Sequence, residues 1–257
     1  MIKFENVSKI FNRGTVDETI LFDNFNFSVA KGDFVSVIGS NGSGKTTMLN
    51  LLCGSSPMDK GKLIVNDIDI TKMKEYRRAR FIGRVFQDPA KGSCANLTIL
   101  ENMALADNKN KSFGLSTCVS KRKTEYYKSL LETCNMGLEN KLNVPVGSLS
   151  GGQRQALALI LANMTDIDLL ILDEHTAALD PKSSKTVMDI TKKVLEAKGI
   201  TTLMVTHNLR FALEYGNRLV MMHEGKIVMD LNEEEKKNMS IDTILAKFNQ
   251  ISIECGN

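Results

Sequence analysis

A glycine-rich segment between an apolar stretch and a helical stretch constrains this chain most. It fits the pattern G-x-x-x-x-G-K-[ST], with the residues Gly39, Ser40, Asn41, Gly42, Ser43, Gly44, Lys45 and Thr46. Residues 34–38 before it read as a buried strand, and residues 46–52 after it as a helix. Glycines let backbone N–H groups point at phosphate oxygens, and the helix N-terminus adds partial positive charge. The segment therefore predicts a nucleotide phosphate site in which Lys45 contacts the β- and γ-phosphates and Thr46 offers its hydroxyl to Mg²⁺.

An acidic pair follows a second apolar stretch. Residues 169–172 are all aliphatic, and Asp173 and Glu174 come directly after them. Ligands collect at the carboxyl ends of strands in open α/β sheets. We expect Asp173 to hold Mg²⁺ through water and Glu174 to polarise an attacking water. Two solvated surface charges are the alternative interpretation.

The composition narrows the class of protein. The chain has 257 residues, 42% of them hydrophobic, and a net charge of +3. It can bury a sizeable core, and its charge predicts no nucleic-acid partner. No apolar run reaches the roughly 18 residues that cross a bilayer, and the first residues lack the apolar core of a signal peptide, so we expect a cytoplasmic chain. The five cysteines form no Cys-x-x-Cys pair and predict reduced thiols, namely Cys53, Cys94, Cys118, Cys134 and Cys255.

The order of strand-like and helix-like segments predicts an α/β fold. Residues 2–7 and 20–29 indicate an antiparallel β subdomain at the N-terminus. Helical patterns dominate from about residue 97 to residue 164, and strand patterns then return. We therefore expect one domain over 1–257, with a core and β subdomain in 1–95 and 165–257 and an inserted helical subdomain in 96–164.

Two further local patterns carry expectations about structure. Asp180 followed by Pro181 predicts an N-cap that opens a helix to about Lys198. The acidic-then-basic run 233–237 is interpreted as solvated surface, followed by a short terminal helix.

A second glycine motif, Leu149-Ser150-Gly151-Gly152-Gln153, stands before another helical stretch. Ser150 can cap this helix, and the two glycines leave amides bare at its positive end. The motif therefore indicates a second anion site suited to a terminal phosphate, with an ordinary capped helix as the alternative.

With these motifs in this order, the chain resembles the ATP-binding cassette (ABC) superfamily of transport ATPases over essentially its whole length. The matching residues are 39–47, Gln87, 149–153, 169–174, 178–180 and His207. The resemblance implies a P-loop NTPase core of mostly parallel sheet flanked by helices, with ATP and Mg²⁺ as ligands. It also adds Thr47 to the ATP-binding residues.

The resemblance further implies a role for each matching residue. Two copies meet head to tail, so that Ser150, Gly151, Gly152 and Gln153 of one copy close over the ATP held by Lys45 of the other. Gln87 is expected to reach Mg²⁺ and the attacking water. His207 is expected to contact the γ-phosphate and orient Glu174. Asp180 is expected at the dimer contact, and Phe11 is expected to stack on adenine.

The residues after the acidic pair are similar to one subgroup of the superfamily. His175 stands where most relatives have proline, and residues 174–181 resemble bacterial uptake ATPases associated with tryptophan or other aromatic amino acids. His175 either tunes a neighbouring carboxylate or a dimer contact, or is a packing substitution. This resemblance implies an importer subunit that lies peripherally on the cytoplasmic face of the membrane. Its partners are a membrane permease, which it contacts through a groove near residues 87–100, and indirectly an extracytoplasmic solute-binding protein.

Other functions within the superfamily remain open from the sequence. A mechanotransmission ATPase that acts on envelope proteins has the same ATP site. A soluble ATPase that acts on nucleic acid or ribosomes, an exporter half and a nucleotide-binding regulatory module rank lower. Neighbouring genes for a permease and a solute-binding protein would favour import.

Overall fold

The computed structural model describes residues 1–109, 111 and 118–254 of the chain, so Cys255 lies outside the described residues. The chain divides into two compact units, which are described separately. The first unit contains Met1–Arg78 and Thr201–Asn257, and the second contains Ala79–Ile200. The predicted boundaries of a helical subdomain at 96–164 remain a prediction.

An antiparallel sheet forms the N-terminal part of the first unit, as the sequence predicted. Its strand order is β2-β1-β4-β5, and the strands are β1 (Ile2–Phe11), β2 (Thr19–Val29), β4 (Lys60–Val65) and β5 (Ile68–Asp69). Aromatic side chains alternate along its buried face, where the Phe4 and Phe25 rings meet edge to face at 5.7 Å and those of Phe22 and Phe25 stack at 4.6 Å. All three rings are buried, so their large apolar area stabilises this sheet.

The second sheet of the first unit carries the phosphate loop. Its strand order is β10-β9-β3-β8, and the strands are β3 (Phe34–Gly39), β8 (Thr201–Val205), β9 (Arg218–His223) and β10 (Lys226–Leu231). The central strand β3 pairs in parallel with both β8 and β9, and five of its six residues are buried. A strand buried in this way is a near-continuous apolar run, which explains its sequence. The unit's helices are α1 (Lys45–Cys53), α2 (Glu75–Arg78), α7 (Leu209–Glu214), α8 (Glu233–Lys237) and α9 (Ile241–Glu254).

The interpretation of residues 233–237 as solvated surface is wrong for one residue. Lys236 is only 4% exposed, and its Nζ donates hydrogen bonds to the carbonyl oxygens of Tyr215 and Gly216. These carbonyls follow the end of α7, where the helix dipole favours a cation. The other four residues of the run are exposed, as the sequence predicts, and tertiary contacts bury only this lysine.

In the part of the second unit that the structure describes, two parallel strands are combined with four α-helices. The strands are β6 (Ile82–Val85) and β7 (Leu169–Asp173), paired in the register Val85 to Leu172. The helices are α3 (Ile99–Asp107), α4 (Thr124–Glu132), α5 (Gly151–Asn163) and α6 (Pro181–Lys198). The predicted start of α6 is confirmed, because the Asp180 side chain accepts from the N–H groups of Lys182 and Ser183. Within the described ranges no helix is both long and apolar enough to cross a membrane.

Candidate nucleotide site

The phosphate loop joins the end of β3 to the start of α1. Gly44 occupies the N-cap position of α1 with a left-handed φ of 103°, so the helix start has no side-chain cap. A Cβ atom at Gly44 would lie 2.9 Å from the Phe22 ring, which explains why glycine is required here. Because no side chain caps the helix, the first backbone N–H groups of α1 can donate hydrogen bonds to an anion.

Lys45 folds back over the loop that precedes it. Its side chain is buried, and Nζ donates to the carbonyl oxygens of Gly39 and Ser40, each at 2.8 Å, and to Ser43 Oγ at 3.3 Å. These contacts hold the ammonium group inside the curve of the loop. A phosphate oxygen in that curve would therefore meet a full positive charge that is already positioned.

Exposure along the loop separates its structural residues from those that can meet a ligand. Gly39, Ser43 and Gly44 are buried, while four other residues of the loop and the helix start lie at the surface. The exposed residues are Ser40, Asn41, Gly42 and Thr46, and Thr47 is half-buried. The exposed Thr46 hydroxyl lies in the first turn of α1, where it can reach a metal ion next to the phosphates.

Gly225, which the sequence analysis missed, fixes the phosphate loop through a backbone hydrogen bond. The backbone N–H of Gly225, in the turn between β9 and β10, donates to the Ser43 carbonyl at 3.0 Å. Gly225 has a φ of 73°, and a Cβ atom there would lie 1.7 Å from the Leu21 carbonyl oxygen. Only the pattern of a glycine in a β-hairpin turn could have indicated it.

We expect Gly225→Ala to lower the free energy of unfolding by about 3 kcal/mol or more. The cost of a left-handed backbone at alanine adds to the cost of the clash between its Cβ atom and the Leu21 carbonyl. Gly14→Ala is the matched control, because Gly14 has a φ of 76° and no atom within 4 Å of an added Cβ. That control should lose only about 1–2 kcal/mol. Urea unfolding of both variants measures the difference, and equal losses would contradict the role of the Leu21 contact.

Phe11 and His207 also belong to the first unit. Phe11 ends β1 with 38% of its surface exposed, and the Lys9 Nζ lies 5.2 Å from its ring centroid. His207 is exposed between β8 and α7, and its backbone is fixed on both sides. The Thr206 N–H bonds to the Val37 carbonyl at 3.2 Å, and the Asn208 side chain caps α7.

The acidic pair stands at the end of β7 in the second unit. Asp173 Oδ2 lies 2.6 Å from Nη2 of Arg84, which comes from the neighbouring strand β6. Glu174 has a left-handed φ of 49°, and its carbonyl oxygen accepts from the Ala177 N–H at 2.9 Å. A left-handed glutamate costs about 1 kcal/mol or more, and such strain concentrates at functional sites.

Gln87 is exposed just beyond β6. The preceding carbonyl, that of Phe86, accepts from Gln155 Nε2 at 3.1 Å, and Asp88 caps the 3-10 helix Pro89–Gly92. The backbone on both sides of Gln87 is therefore held by hydrogen bonds, while its side chain faces solvent.

The second glycine motif forms a capping box. Ser150 Oγ accepts from the Gln153 N–H and Gln153 Oε1 accepts from the Ser150 N–H, both at 3.3 Å. The Gln153 side chain also accepts from Lys141 Nζ at 3.3 Å and donates to the Met136 carbonyl at 3.1 Å. The predicted N-cap at Ser150 is confirmed. Lys141, which the sequence analysis missed, fixes the side chain that completes it.

The small residues of this motif have a packing reason as well. A Cβ atom at Gly151 would lie 3.1 Å from Leu179 Cδ2, and one at Gly152 would lie 3.3 Å from Ser183 Cβ. The helix start therefore lies tightly against the segment that leads into α6. Ser150 itself remains exposed, so its hydroxyl can still reach a ligand.

His175 packs inside the second unit. It is 2% exposed, its Nε2 lies 3.5 Å from Thr191 Oγ1, and burial lowers its pKa to about 4. This environment favours the packing interpretation over a surface or dimer role. Asp180 differs, because it is exposed and hydrogen bonds from Ser183 hold its carboxyl pKa below the ordinary value.

The structure groups the candidate residues into local clusters. In the first unit, Lys45 meets the loop 39–43; in the second, Asp173 and Glu174 are adjacent and Ser150 bonds to Gln153. Their roles towards a nucleotide remain predictions. Of the cysteines, Cys53, Cys94, Cys118 and Cys134 carry free thiols.

Comparison with known proteins defines the class. The family model described as ABC transporter matches residues 22–177, which is more than half of the chain. The chain belongs to the ABC transporter family, as one of its ATP-hydrolysing subunits of the importer type.

Two curated relatives align with nearly the whole chain. A tyrosine transport ATP-binding protein of Clostridioides difficile (strain R20291) is 44% identical over 248 residues, covering 96% of this chain and 98% of that protein. The phosphonates import ATP-binding protein PhnC of Lactococcus lactis subsp. lactis (strain IL1403) is 34% identical over 255 residues, covering 96% and 99%.

Solved structures share the fold. The ADP conformation of the ATP-binding cassette MJ1267 aligns with a TM-score of 0.80 and 28% identity over 100% of this chain and 99% of that one. A dimeric post-hydrolysis state of the cassette MJ0796, bound to ADP and Pi, aligns with a TM-score of 0.77 and 28% identity over 91% and 99%. The α/β fold class predicted from the sequence is confirmed.

Proposed function

We propose that this chain is the motor subunit of an importer for an amino acid, and specifically for tyrosine or a related aromatic amino acid. The observation that carries the proposal is the 44% identity to a tyrosine transport ATP-binding protein along nearly the full length of both chains. The local sequence after Glu174 points to the same subgroup. Phosphonates, the cargo named for a 34% identical relative, are the competing assignment.

ATP is bound by its phosphates in the loop 39–47. The uncapped start of α1 and the preset Lys45 ammonium supply N–H donors and positive charge for a polyphosphate. Phe11 stacks on adenine. Its ring lies partly exposed at the end of β1 and is therefore accessible to a base. His207 contacts the γ-phosphate and orients Glu174.

Mg²⁺ fits the oxygen donors that the chain offers. A threonine hydroxyl and a carboxylate are the hard ligands that this ion prefers, and Thr46 is exposed while Asp173 is 16% exposed at the end of its strand. Thr46, Asp173 and Gln87 would hold the ion, which would neutralise charge on the β- and γ-phosphates. Glu174 accepts the proton of the attacking water.

A second copy of the chain completes each ATP site. Ser150 and the amides of Gly151 and Gly152 stand at the positive start of α5, where they suit a terminal phosphate. Asp180 lies at the contact between the copies. The dimeric ADP-bound cassette of the same fold supports this arrangement.

A groove in the second unit is the docking site for the permease. Its volume is 460 Å³, and its walls are lined by Lys91, Cys94, Leu105, Lys109, Ala158 and Leu161, among others. Apolar walls with lysines at the edge suit a short amphipathic helix with acidic residues. The chain then works peripherally on the cytoplasmic face of the membrane, and an extracytoplasmic binding protein delivers the solute to the permease.

The cargo is tested by purifying the chain in complex with a candidate permease and solute-binding protein from the same genome. The complex is reconstituted into vesicles with this subunit on the inner side. We then expect labelled tyrosine to enter the vesicles only when ATP is enclosed inside them. Uptake of a phosphonate with none of tyrosine would contradict the cargo proposal. Absence of any solute-stimulated ATP turnover would contradict the importer proposal.

The groove is tested by Leu105→Glu, with Leu245→Glu as its control. Both leucines are 45% exposed, but only Leu105 lines the groove. A buried carboxylate at the interface should weaken co-purification with the permease at least about tenfold, because an unpaired charge is costly to desolvate. Equal retention of the permease by both variants would contradict docking at this groove.

A further inference from the structure

Arg84 forms an ion pair with a residue assigned above to Mg²⁺. Its Nη2 lies 2.6 Å from Asp173 Oδ2, and the two side chains are only 15% and 16% exposed. Parallel pairing of β6 with β7 places Arg84 opposite Ile171, so Asp173 lies two residues further along the neighbouring strand. The guanidinium also lies 4.8 Å from the centroid of the Phe86 ring. The pair is therefore fixed by strand register and by stacking.

A guanidinium and a divalent cation compete for the same carboxylate. Both are attracted to the negative charge of the Asp173 carboxylate, most strongly where water is partly excluded.

We propose that Arg84 is a positioning residue that holds the Asp173 carboxylate before the metal arrives and that Mg²⁺ must displace. This inference rests on the proposed role of Asp173 as a magnesium ligand. Arg84 lowers the affinity of the site for the metal. It also keeps the partly buried Asp173 carboxylate paired while no metal is bound.

The Arg84 guanidinium also lines the groove that is proposed above as the docking site. It lies over Phe86, in the residues that lead to Gln87. Metal binding at Asp173 therefore changes the charge that this groove presents. Arg84 therefore contacts both the groove and Asp173, the proposed magnesium ligand.

The test measures metal affinity rather than activity. The dissociation constant of Mn²⁺ is determined by electron paramagnetic resonance on the whole protein saturated with ADP, with a protein-free blank for the Mn²⁺–ADP complex. We expect Arg84→Met to bind Mn²⁺ on the order of tenfold more tightly than wild type, because the metal no longer has to break the Arg84–Asp173 ion pair. Arg77→Met is the control, since Arg77 is an exposed arginine that lies 5.9 Å over the Tyr76 ring. It should match wild type.

Two further variants separate the inference from the function on which it rests. Asp173→Asn should weaken Mn²⁺ binding at least about tenfold, and adding Arg84→Met to it should restore nothing. If Asp173→Asn leaves Mn²⁺ binding unchanged, the metal role of Asp173 fails. If Asp173→Asn weakens binding but neither Arg84→Met nor Arg84→Gln tightens it, the role of Arg84 alone is overturned. Arg84→Gln decides the result if the methionine variant does not fold.

Discussion

Glu174→Gln should lower ATP turnover by about 10²–10⁴-fold, because the amide keeps the shape of the side chain but cannot accept the proton of the attacking water. The structure places Glu174 directly after Asp173 at the end of β7, with a φ of 49° that holds it in a strained conformation. Affinity for ATP should stay within a few-fold of wild type. Phosphate release in a single turnover and ATP binding by calorimetry measure the two effects separately.

The matched control is Glu224→Gln. Glu224 is also a left-handed glutamate, with a φ of 44°, but it lies exposed in the turn between β9 and β10. Its change should leave turnover unaltered. Wild-type turnover in Glu174→Gln would remove this residue from the proposed chemistry.

Lys45→Met should abolish ATP turnover and weaken nucleotide binding by about 10²-fold, on the scale of a lost charge-assisted contact to phosphate. The reason is visible in the loop itself. Lys45 Nζ donates to the Gly39 and Ser40 carbonyls, so the substitution removes both the positive charge and the group that draws the loop together. Calorimetric titration with ADP measures the loss.

Lys60→Met controls for the loss of one positive charge from the first unit. Lys60 is exposed at the start of β4 and should leave ADP binding unchanged. If Lys45→Met binds ADP like wild type, the loop 39–46 is not the phosphate site.

Sequence reasoning succeeded where the physical cause is local. The caps at Ser150 and Asp180 each depend on a side chain that bonds to an N–H two or three residues away, so residue types and spacing are sufficient. The strand before the phosphate loop is buried on both faces, and its near-continuous apolar run, interrupted only by Ser36, predicts this burial.

Sequence reasoning failed where distant segments meet. Arg84 and Asp173 are 89 positions apart and are brought together by the register of two strands. The bond from Gly225 to Ser43 and the burial of Lys236 depend on the same kind of tertiary contact. Local patterns of charge and turn residues carry no signal for such partners. The sequence therefore predicts a metal role for Asp173 without its arginine partner, and a solvated surface position for Lys236.

The central claim is that each ATP is held between two copies of the chain, by the phosphate loop of one and the start of α5 of the other. Asn41 and Ser148 are exposed residues beside Ser43 and Ser150, so each can carry a thiol without entering the packed parts of either motif. The test requires that the exposed thiols Cys94 and Cys118, and also Cys255, be replaced by serine. The buried thiols can remain.

The most direct measurement mixes two such proteins, one with Asn41→Cys and the other with Ser148→Cys, both carrying Glu174→Gln. A short bismaleimide is added with ATP and Mg²⁺, and products are separated by mass. We expect a covalent dimer in the mixture with ATP, little with ADP, and little from either protein alone. A mixture that yields no ATP-dependent dimer would contradict the shared site and leave the proposed import cycle without its closing step.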